Sequence, residues 1–543
     1  MAKKVPTKFI AITAVIIVLV TVELIFKRPF FGSAKDRIHK VLAQVGRIKV
    51  GEDSVRIASR DFLQKYYEHF GYIQNEADST RRSNRYHNML LAMLQQADEL
   101  GLNPADYHDD YIRRYDSLSK LPGFDAGTYE LENEVVFDDA AISFLYHVAY
   151  GKEIPVGFNG VKYSIDSARI LNVFNGLVAG GDWRKTVDSL EPKTMQYTRL
   201  KRELNNMQAF MRQNPAVDSV QGSNTLSRRD ITLKLAAYGV LNDSVNADSV
   251  SDAMFNTAVK GFQQMVGLDA TGKVDEATIA KLNFPLKRRI EQLKESLNYW
   301  RWTGRLREQE FILVNIPSAR LQIVNSDTAH DITMKVIVGK TATQTPEFTA
   351  YINKVVTYPY WVVPFSIATK EMLPKIRKRI SYLDDNNLQV INGKGEEVDP
   401  QRIDWNRYSE HYFPYTIRQS TGCDNSLGLL KFDVNSPYSI YLHDTNHKEL
   451  FLSNDRFMSH GCIRLEKPMV LADFLLQGSL DSATRAELNE CVKGKKPAEF
   501  KLKKLFPVLI FYMTADVDEK GNLRFYKDVY SIETPKAVAK KVA

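Results

Sequence analysis

The hydrophobic period of this chain changes once, near residue 302, and that change constrains the fold more than any other feature. Before it, apolar residues recur at helical spacing, as in the group Leu90, Leu91, Met93, Leu94 and Ala97. After it, β-branched runs bounded by turn residues follow a period of two, in segments such as 311–317, 320–324 and 334–339. Because 543 residues are also too many for one core, we predict a multidomain α+β protein, helical first and β-rich second.

The composition is that of a globular protein without a nucleic-acid footprint. Hydrophobic residues make up 44% and charged residues 25% of the chain, which excludes collagen-like and wholly disordered proteins. The formal net charge of +8 is a mild excess for this length. We therefore expect no nucleic-acid partner.

One long apolar run, residues 9–26, follows three lysines near the N-terminus. A helix over this run is about 27 Å long, close to the thickness of a bilayer's hydrocarbon core. We predict that residues 1–34 form a cytoplasmic tail and an uncleaved transmembrane anchor, and that the remaining chain lies outside the cytoplasm. A signal peptide cleaved near Gly32-Ser33-Ala34 is the alternative.

Two helical domains are predicted between this segment and the change of period. Residues 35–225 show amphipathic helical patterns without a catalytic constellation, so we interpret them as a helical scaffold domain. In residues 226–290, a helix containing Phe262-Gln263 runs into Gly267-Leu268, and a turn at Gly272 leads to a second short helix. This pattern resembles the small three-helix peptidoglycan-binding domain.

The strongest chemical signal is Ser459-His460-Gly461-Cys462-Ile463-Arg464, preceded by an alternating segment, 438–442, that ends at His443. A free thiol is mostly protonated at neutral pH, so as a nucleophile it requires a neighbouring imidazole. The backbone around Gly461 and Cys462 is suited to hold a developing oxyanion, and Arg464 to pair with a carboxylate. Cys423 and Cys491 lack such surroundings and are predicted to pack in the core.

The spacing of His443 and the Ser-His-Gly-Cys motif, with Arg464 after it, closely resembles the signature of the L,D-transpeptidases, which have a YkuD-type catalytic domain. Blocks such as Pro359-Tyr360-Trp361 strengthen the resemblance and point to the large murein-transpeptidase branch. On this basis, residues 291–480 form the catalytic domain, with a capping insertion at about 366–423. Residues 481–543 form a C-terminal extension with a basic tail and a β-hairpin, whose strands we place in 508–514 and 523–526.

The resemblance implies a mechanism and a place in the cell. Cys462 attacks the tetrapeptide stem of peptidoglycan as nucleophile, terminal D-Ala leaves, and a neighbouring stem resolves the thioester to form a 3→3 cross-link. His443 transfers the protons, the backbone carbonyl of Asp444 orients it, and Gly461 contributes to the oxyanion site. Four residues are assigned to substrate positioning: Tyr441, Ser459, His460 and Arg464. The expected location is the inner membrane with the catalytic part in the periplasm, and carbapenems are expected to acylate Cys462.

Alternatives to this function remain open from the sequence. An L,D-carboxypeptidase would use the same site with water as acceptor, and a peptidoglycan-binding scaffold would have an inactive catalytic domain. A zinc site formed by His443, His447, His460 and Cys462 is disfavoured, because residues 443 and 447 share a face only on a helix and no HExxH motif is present. We therefore expect neither a metal nor a cofactor.

Overall fold

The computed structural model describes residues 34–44, 47–50, 53–70, 79–122, 124, 130–152, 160–218, 226–241, 247–306, 310–324, 332–492 and 494–532. Two compact units divide the chain: residues 1–148 with 166–191, and residues 149–165 with 192–543. The predicted anchor lies outside the described residues except for Ala34. Among the residues that are described, no helix has the length and apolar character needed to cross a bilayer.

The first unit is mainly helical, as the spacing of its apolar residues predicts. Its elements are α1 (Ala34–Leu42), β1 (Arg47–Val50), β2 (Asp53–Arg56), α2 (Arg60–Phe70), α3 (Ser79–Gln95), α4 (Asp109–Ser119), α5 (Glu130–Tyr150), α6 (Ser167–Val178) and α7 (Trp183–Leu190), with short 3₁₀ turns at Asp98–Leu100 and Pro104–Tyr107. The antiparallel hairpin β1–β2 is a small addition that the helical pattern does not reveal.

Helix α5 forms the centre of this unit and carries two buried carboxylates. Asp139 accepts hydrogen bonds from the backbone N–H and the hydroxyl of Ser59, each at 2.6 Å, and lies 2.7 Å from the His108 ring. Asp138 accepts hydrogen bonds from the hydroxyls of Tyr67 and Tyr86. Because each carboxylate has partners, these polar groups are accommodated in the core and hold the surrounding segments to α5.

The second unit begins with helices that pack against one side of a large sheet. These are α8 (Met195–Gln213), α9 (Arg228–Ala237), α10 (Asp252–Met265), α11 (Glu276–Leu282) and α12 (Leu286–Thr303), with 3₁₀ turns at Pro215–Asp218 and Gly304–Leu306. Trp300 and Trp302, at the end of α12, are fully buried in a core that these helices share with strands of the sheet. These two tryptophans thus pack the helices of the second unit against its β-rich part.

The main sheet contains nine strands in the order β12-β5-β13-β11-β10-β6-β14-β3-β4. Because β4 also pairs with β5, the sheet closes on itself. Its strands are β3 (Phe311–Asn315), β4 (Arg320–Val324), β5 (Thr333–Gly339), β6 (Phe348–Thr357), β10 (Leu430–Val434), β11 (Leu442–His443), β12 (Phe457–Ser459), β13 (Ile463–Leu465) and β14 (Ala498–Phe511). Two helices, α16 (Pro468–Leu476) and α17 (Ser482–Glu490), follow β13. Apolar residues of one face, among them Phe432, Leu442 and Ile463, form a continuous core with α16.

The segment between β6 and β10 forms a small core of its own. It contains β7 (Trp361–Val362), α13 (Phe365–Ile367), a π-helical turn (Ala368–Met372), α14 (Leu373–Lys378), α15 (Tyr382–Asp385), β8 (Leu388–Ile391), β9 (Thr416–Gln419) and 3₁₀ turns at Pro400–Arg402 and Trp405–Arg407. The strands pair antiparallel in the order β7-β9-β8 and pack on residues such as Leu373, Trp405 and Ile417. We call residues 361–419 the insertion.

Two predicted strand assignments differ from the structure. Residues 508–511 belong to β14 in the main sheet, and the C-terminal hairpin is formed by β15 (Ala515–Val517) with β16 (Leu523–Phe525). The chain leaves the sheet at Met513, where the side chain of Asn315 bonds both its N–H and its carbonyl. The predicted strand at 438–442 is reduced to Leu442–His443, because Ser439 has a positive φ of 54° that interrupts the extended backbone.

Candidate active site

Strands β11 and β13 bring the motif residues together on one face of the sheet. The two strands are parallel, with Leu442 opposite Ile463 and His443 opposite Arg464, and both Leu442 and Ile463 point into the core. Since side chains alternate along a strand, Tyr441, His443, Cys462 and Arg464 belong to the opposite face. His443 and Cys462 are diagonal neighbours on this face, and the Cα atoms of such neighbours are about 7–8 Å apart.

The imidazole of His443 is buried and held by its own neighbour. Its Nδ1 lies 2.5 Å from the backbone carbonyl of Asp444. A carbonyl can only accept a hydrogen bond, so Nδ1 carries the proton and Nε2 keeps its lone pair. Burial, followed by the positive charge of Arg464, lowers the pKa of His443 to about 3. The ring is therefore neutral at physiological pH and able to accept a proton at Nε2.

The side chain of Asp444 fixes the segment that carries this carbonyl. Its carboxylate accepts a hydrogen bond from the N–H of Leu429 at 2.9 Å and pairs with the ammonium group of Lys448. A Cβ atom at Gly428 would lie 2.4 Å from the Asp444 carboxylate carbon, and Gly428 has a φ of 58°. Glycine at this position therefore allows the two segments to approach closely.

Cys462 is the free cysteine among the described residues, and it is partly exposed. Burial raises the pKa of its thiol, whereas hydrogen bonds from the backbone and hydroxyl of Tyr441 lower that pKa. Tyr441 lies beside the sulfur because its carbonyl accepts a hydrogen bond from the N–H of Ile463 at 3.1 Å. The resting state is thus a thiol next to a neutral imidazole, which suits base-assisted attack.

The segment 459–462 is held in one conformation by buried hydrogen bonds. The hydroxyl of Ser459 donates to the carbonyl of Cys462 at 2.6 Å and accepts from the N–H of Gly461 at 3.1 Å. Thr345 donates its hydroxyl to the carbonyl of Gly461 at 2.8 Å. Gly461 has a φ of 112°, a conformation that favours glycine.

These bonds involve two of the residues expected at the site from the sequence. Ser459 is buried and its hydroxyl is engaged within the loop, and its contact with substrate stays a prediction. The N–H of Gly461, predicted to hold an oxyanion, is engaged by Ser459. Within the described part of the chain, the N–H of Cys462 has no backbone acceptor, so it is available as a hydrogen-bond donor.

Two cations flank the sulfur on this face. Arg464 is partly buried, and its Nε has no hydrogen-bond partner among the described residues. An unsatisfied, buried guanidinium N–H is available to an anionic ligand group. Lys431, directly opposite His443 on β10, was not among the predicted site residues. The alternation Lys431-Phe432-Asp433, with Phe432 in the core, is the sequence signal that places it on the site face.

The insertion contacts the motif loop through His460. The His460 Nε2 lies 2.8 Å from Oε1 of Glu371, which belongs to the π-helical turn Ala368–Met372. Trp361 also reaches the site, as its side chain hydrogen-bonds the hydroxyl of Tyr441 and opposes the rise in the pKa of that hydroxyl. The sequence analysis assigned neither Glu371 nor Trp361 to the site, because their partners are more than 75 residues away in the chain.

Cys423 and Cys491 form a disulfide, with Cα atoms 6.0 Å apart. The prediction that both pack as core thiols is wrong: Cys423 is exposed and Cys491 partly exposed. The pairing was not visible in the sequence, because 68 residues separate the two cysteines. The bond ties the segment before Gly428, which contacts Asp444, to the end of α17.

The histidines considered for zinc do not converge. His447 is exposed and pairs with Glu449, whereas His460 pairs with Glu371. Over the described ranges, no group of three or more His, Cys, Asp or Glu side chains is arranged to hold a metal ion.

The closed, mixed β-sheet carries a thiol and a neutral imidazole on one face. Three family models match successive parts of the chain. The model described as "L,D-transpeptidase catalytic domain" (YkuD) matches residues 309–487, "Scaffold domain" matches 63–204, and "Putative peptidoglycan binding domain" matches 224–282. The resemblance to L,D-transpeptidases is thus confirmed, and the chain combines a helical N-terminal region, a peptidoglycan-binding domain and a β-rich YkuD domain.

A curated relative agrees with these matches at the level of family. A curated relative from Haemophilus influenzae, named "Putative L,D-transpeptidase", is 35% identical over 222 residues, which are 41% of this chain and 44% of that protein. The match therefore spans less than half of the relative's length. A solved structure titled "Structure of the Ldtfm-avibactam carbamoyl enzyme" has 13% identity, covers 40% of this chain and 61% of its own, and gives a TM-score of 0.16. At that TM-score, the likeness adds no argument.

Proposed function

We propose that the protein is a peptidoglycan L,D-transpeptidase that forms 3→3 cross-links through a thioester on Cys462. The observation that carries the proposal is the shared face of β11 and β13, on which Cys462, His443, Tyr441 and Arg464 lie together. The matches to an L,D-transpeptidase catalytic domain and to a peptidoglycan-binding domain support the same substrate class.

In the first half-reaction, Nε2 of His443 takes the thiol proton as the sulfur attacks the carbonyl before the terminal D-Ala of a tetrapeptide stem. The N–H of Cys462 donates to the oxygen that becomes negative. Collapse of the tetrahedral intermediate breaks the C–N bond, and the imidazolium gives its proton to the leaving D-Ala amine. A thioester on Cys462 remains, and His443 is neutral again.

In the second half-reaction, the side-chain amine of a neighbouring stem attacks the thioester carbonyl. His443 accepts the proton that the amine loses, and the C–S bond breaks to give the new amide. The proton then returns to the sulfur, which restores the thiol. Arg464 is placed to hold an anionic group of a stem, because its Nε N–H is buried without an acceptor among the described residues.

The proposal includes the setting of the reaction. We propose that the catalytic part lies in the periplasm, where it would meet peptidoglycan, and that the run at residues 9–26 anchors it in the inner membrane. A disulfide between Cys423 and Cys491 fits an oxidising compartment. We further propose that the insertion acts as a cap over the site, and that carbapenems acylate Cys462.

The test is mass analysis of muropeptides after incubation of tetrapeptide-containing peptidoglycan with the wild type and with Cys462→Ala. Dimers cross-linked 3→3 are expected with the wild type and absent with the variant. Tripeptides without dimers would show a carboxypeptidase instead. No change in either case, with no adduct on Cys462 after carbapenem treatment, would leave only a wall-binding protein.

A further inference from the structure

Lys431 occupies a central position on the site face although it is not part of the motif. It lies directly opposite His443 on the neighbouring antiparallel strand, β10. Directly paired residues project to the same side of a sheet, so the Lys431 side chain shares the face of His443, Tyr441 and Cys462. That side chain is only 24% exposed, so its charge acts through a partly desolvated environment.

The ammonium group of Lys431 rests on the ring of Tyr441. Its Nζ lies 4.5 Å from the ring centroid, within the distance of a cation–π contact. The same Nζ is 2.6 Å from Asp433 Oδ1. Asp433 in turn lies 3.3 Å from the ammonium of Lys354, which also pairs with Glu499. Asp433 therefore shares its negative charge between two lysines and fixes Lys431 over the ring.

Tyr441 connects this cation to the sulfur. By continuation of the register, Tyr441 is the residue opposite Cys462. Burial raises the pKa of the Tyr441 hydroxyl, so the group stays protonated and serves as a donor. Its hydrogen bond to the sulfur stabilises the thiolate more than the thiol, because hydrogen bonds to ionised acceptors are the stronger ones.

We propose that Lys431 is a positioning residue that holds the Tyr441 ring and polarises its hydroxyl toward Cys462, thereby favouring the thiolate form of the nucleophile. A positive charge beside the ring favours negative charge at the hydroxyl and at the sulfur, and it strengthens the bond between them. The inference rests on the proposed function for its meaning in catalysis. The geometry that it uses is independent of the substrate.

The charged and titratable groups around this path come from five strands. The sulfur faces Tyr441 and His443 on the β11 side, and Arg464 on β13. Lys431 pairs with Asp433 on its own strand, Asp433 also pairs with Lys354 on β6, and Lys354 pairs with Glu499 on β14. Lys431 and Arg464 are the two cations whose charge lowers the pKa of the Cys462 thiol. Removal of Lys431 is thus expected to leave Arg464 as the remaining positive charge near the sulfur.

The experiment measures the rate of Cys462 alkylation by iodoacetamide against pH, in the full chain with its disulfide oxidised. Lys431→Met is expected to move the midpoint of the profile upward by about 0.5–1 pH unit, because a neighbouring cation is lost. Lys431→Arg keeps the charge and is expected to retain the wild-type midpoint. Lys354→Met is the matched control, since Lys354 touches Asp433 but is not placed over Tyr441, and its midpoint is expected to stay unchanged.

Two further variants separate the proposed path from a general effect. In a Tyr441→Phe background, Lys431→Met is expected to shift the midpoint by less than half of its effect in the wild type. Asp433→Asn, which removes the negative partner of Lys431, is expected to lower the midpoint. This variant tests the inference with the opposite sign even where Lys431→Met does not fold.

An unchanged midpoint in Lys431→Met with a native circular dichroism spectrum would overturn the inference. An equal shift in Lys354→Met would do so as well, since the effect would then be unspecific surface charge. Because alkylation needs no peptidoglycan, the expected shifts without any cross-linking would contradict only the proposed function. Cross-linking without the shifts would contradict only the role of Lys431.

Discussion

The disulfide between Cys423 and Cys491 is expected to stabilise the second unit by an amount that follows from the number of residues it encloses. The bond spans 68 residues, from the segment before Gly428 to the end of α17. In the chain-entropy description, closing a loop of this length removes about 4 kcal/mol of unfolded-state freedom at 25 °C. We therefore expect the double variant Cys423→Ser/Cys491→Ser to lower the free energy of unfolding of the second unit by up to about 4 kcal/mol. Serine suits both positions because neither cysteine is fully buried.

Urea unfolding followed by tryptophan fluorescence measures this change. Four of the five tryptophans (Trp300, Trp302, Trp361 and Trp405) lie in the second unit, so the signal reports mainly on that unit. With a denaturant dependence of about 3 kcal/mol per M, the midpoint is expected to fall by up to about 1.3 M. Dithiothreitol should shift the wild type in the same direction and leave the double variant unaffected.

The reasoning would be refuted by either of two results. One is a midpoint that is equal in wild type and double variant under oxidising conditions. The other is a non-reducing peptide map in which Cys423 and Cys491 carry free thiols in the purified native chain. The same map should show Cys462 unpaired, since it is the free cysteine of the described structure.

Three other measurements address the site. The hydroxyl of Thr345 accepts a hydrogen bond from the N–H of Gly339 and donates one to the carbonyl of Gly461. Thr345→Val removes both bonds and is expected to lower the free energy of unfolding by about 2–4 kcal/mol, whereas Thr345→Ser should retain most of it. The pKa of His443 falls to about 3 on folding, so between about pH 6.5 and 3 the unfolded chain binds one proton more than the folded chain. The free energy of unfolding is therefore expected to decrease as the pH falls through that window, by up to about 1.4 kcal/mol per pH unit. His443→Gln should lack this component of the pH dependence, and an unchanged slope would count against a buried neutral ring. Glu371→Gln removes the exposed pair with His460 and is expected to alter the unfolding free energy by less than about 1 kcal/mol; a larger loss in urea titrations would show that the pair is structural.

The residues of the motif could be found from the sequence because their chemistry is concentrated in a short segment. A glycine, a cysteine and an arginine within six residues leave few interpretations, and His443 lies at the end of a segment with strand-like alternation. The resemblance to L,D-transpeptidases also implied that the backbone carbonyl of Asp444 orients the ring. The structure places that carbonyl 2.5 Å from Nδ1, although its role in catalysis stays a prediction.

What the sequence did not reveal depends on pairings between distant segments. Lys431 belongs to the site only because β10 pairs with β11 in a register that sets it opposite His443. Glu371 reaches His460 across 89 positions, and Cys423 reaches Cys491 across 68. No local sequence pattern gives these registers. From the sequence alone, Lys431 and Cys423 therefore cannot be distinguished from ordinary surface residues. The hairpin near the C-terminus was misplaced for the same reason, since the side chain of Asn315 determines where β14 ends.

Asp444 shows why such distant pairings matter to the chemistry. Its carbonyl sets the tautomer of His443, while its carboxylate is held by the N–H of Leu429 and by Lys448. Leu429 follows Gly428, whose lack of a side chain lets the two segments touch, and the disulfide at Cys423 tethers the chain just before it. The proton acceptor of the proposed reaction is therefore positioned by a series of backbone contacts outside the motif.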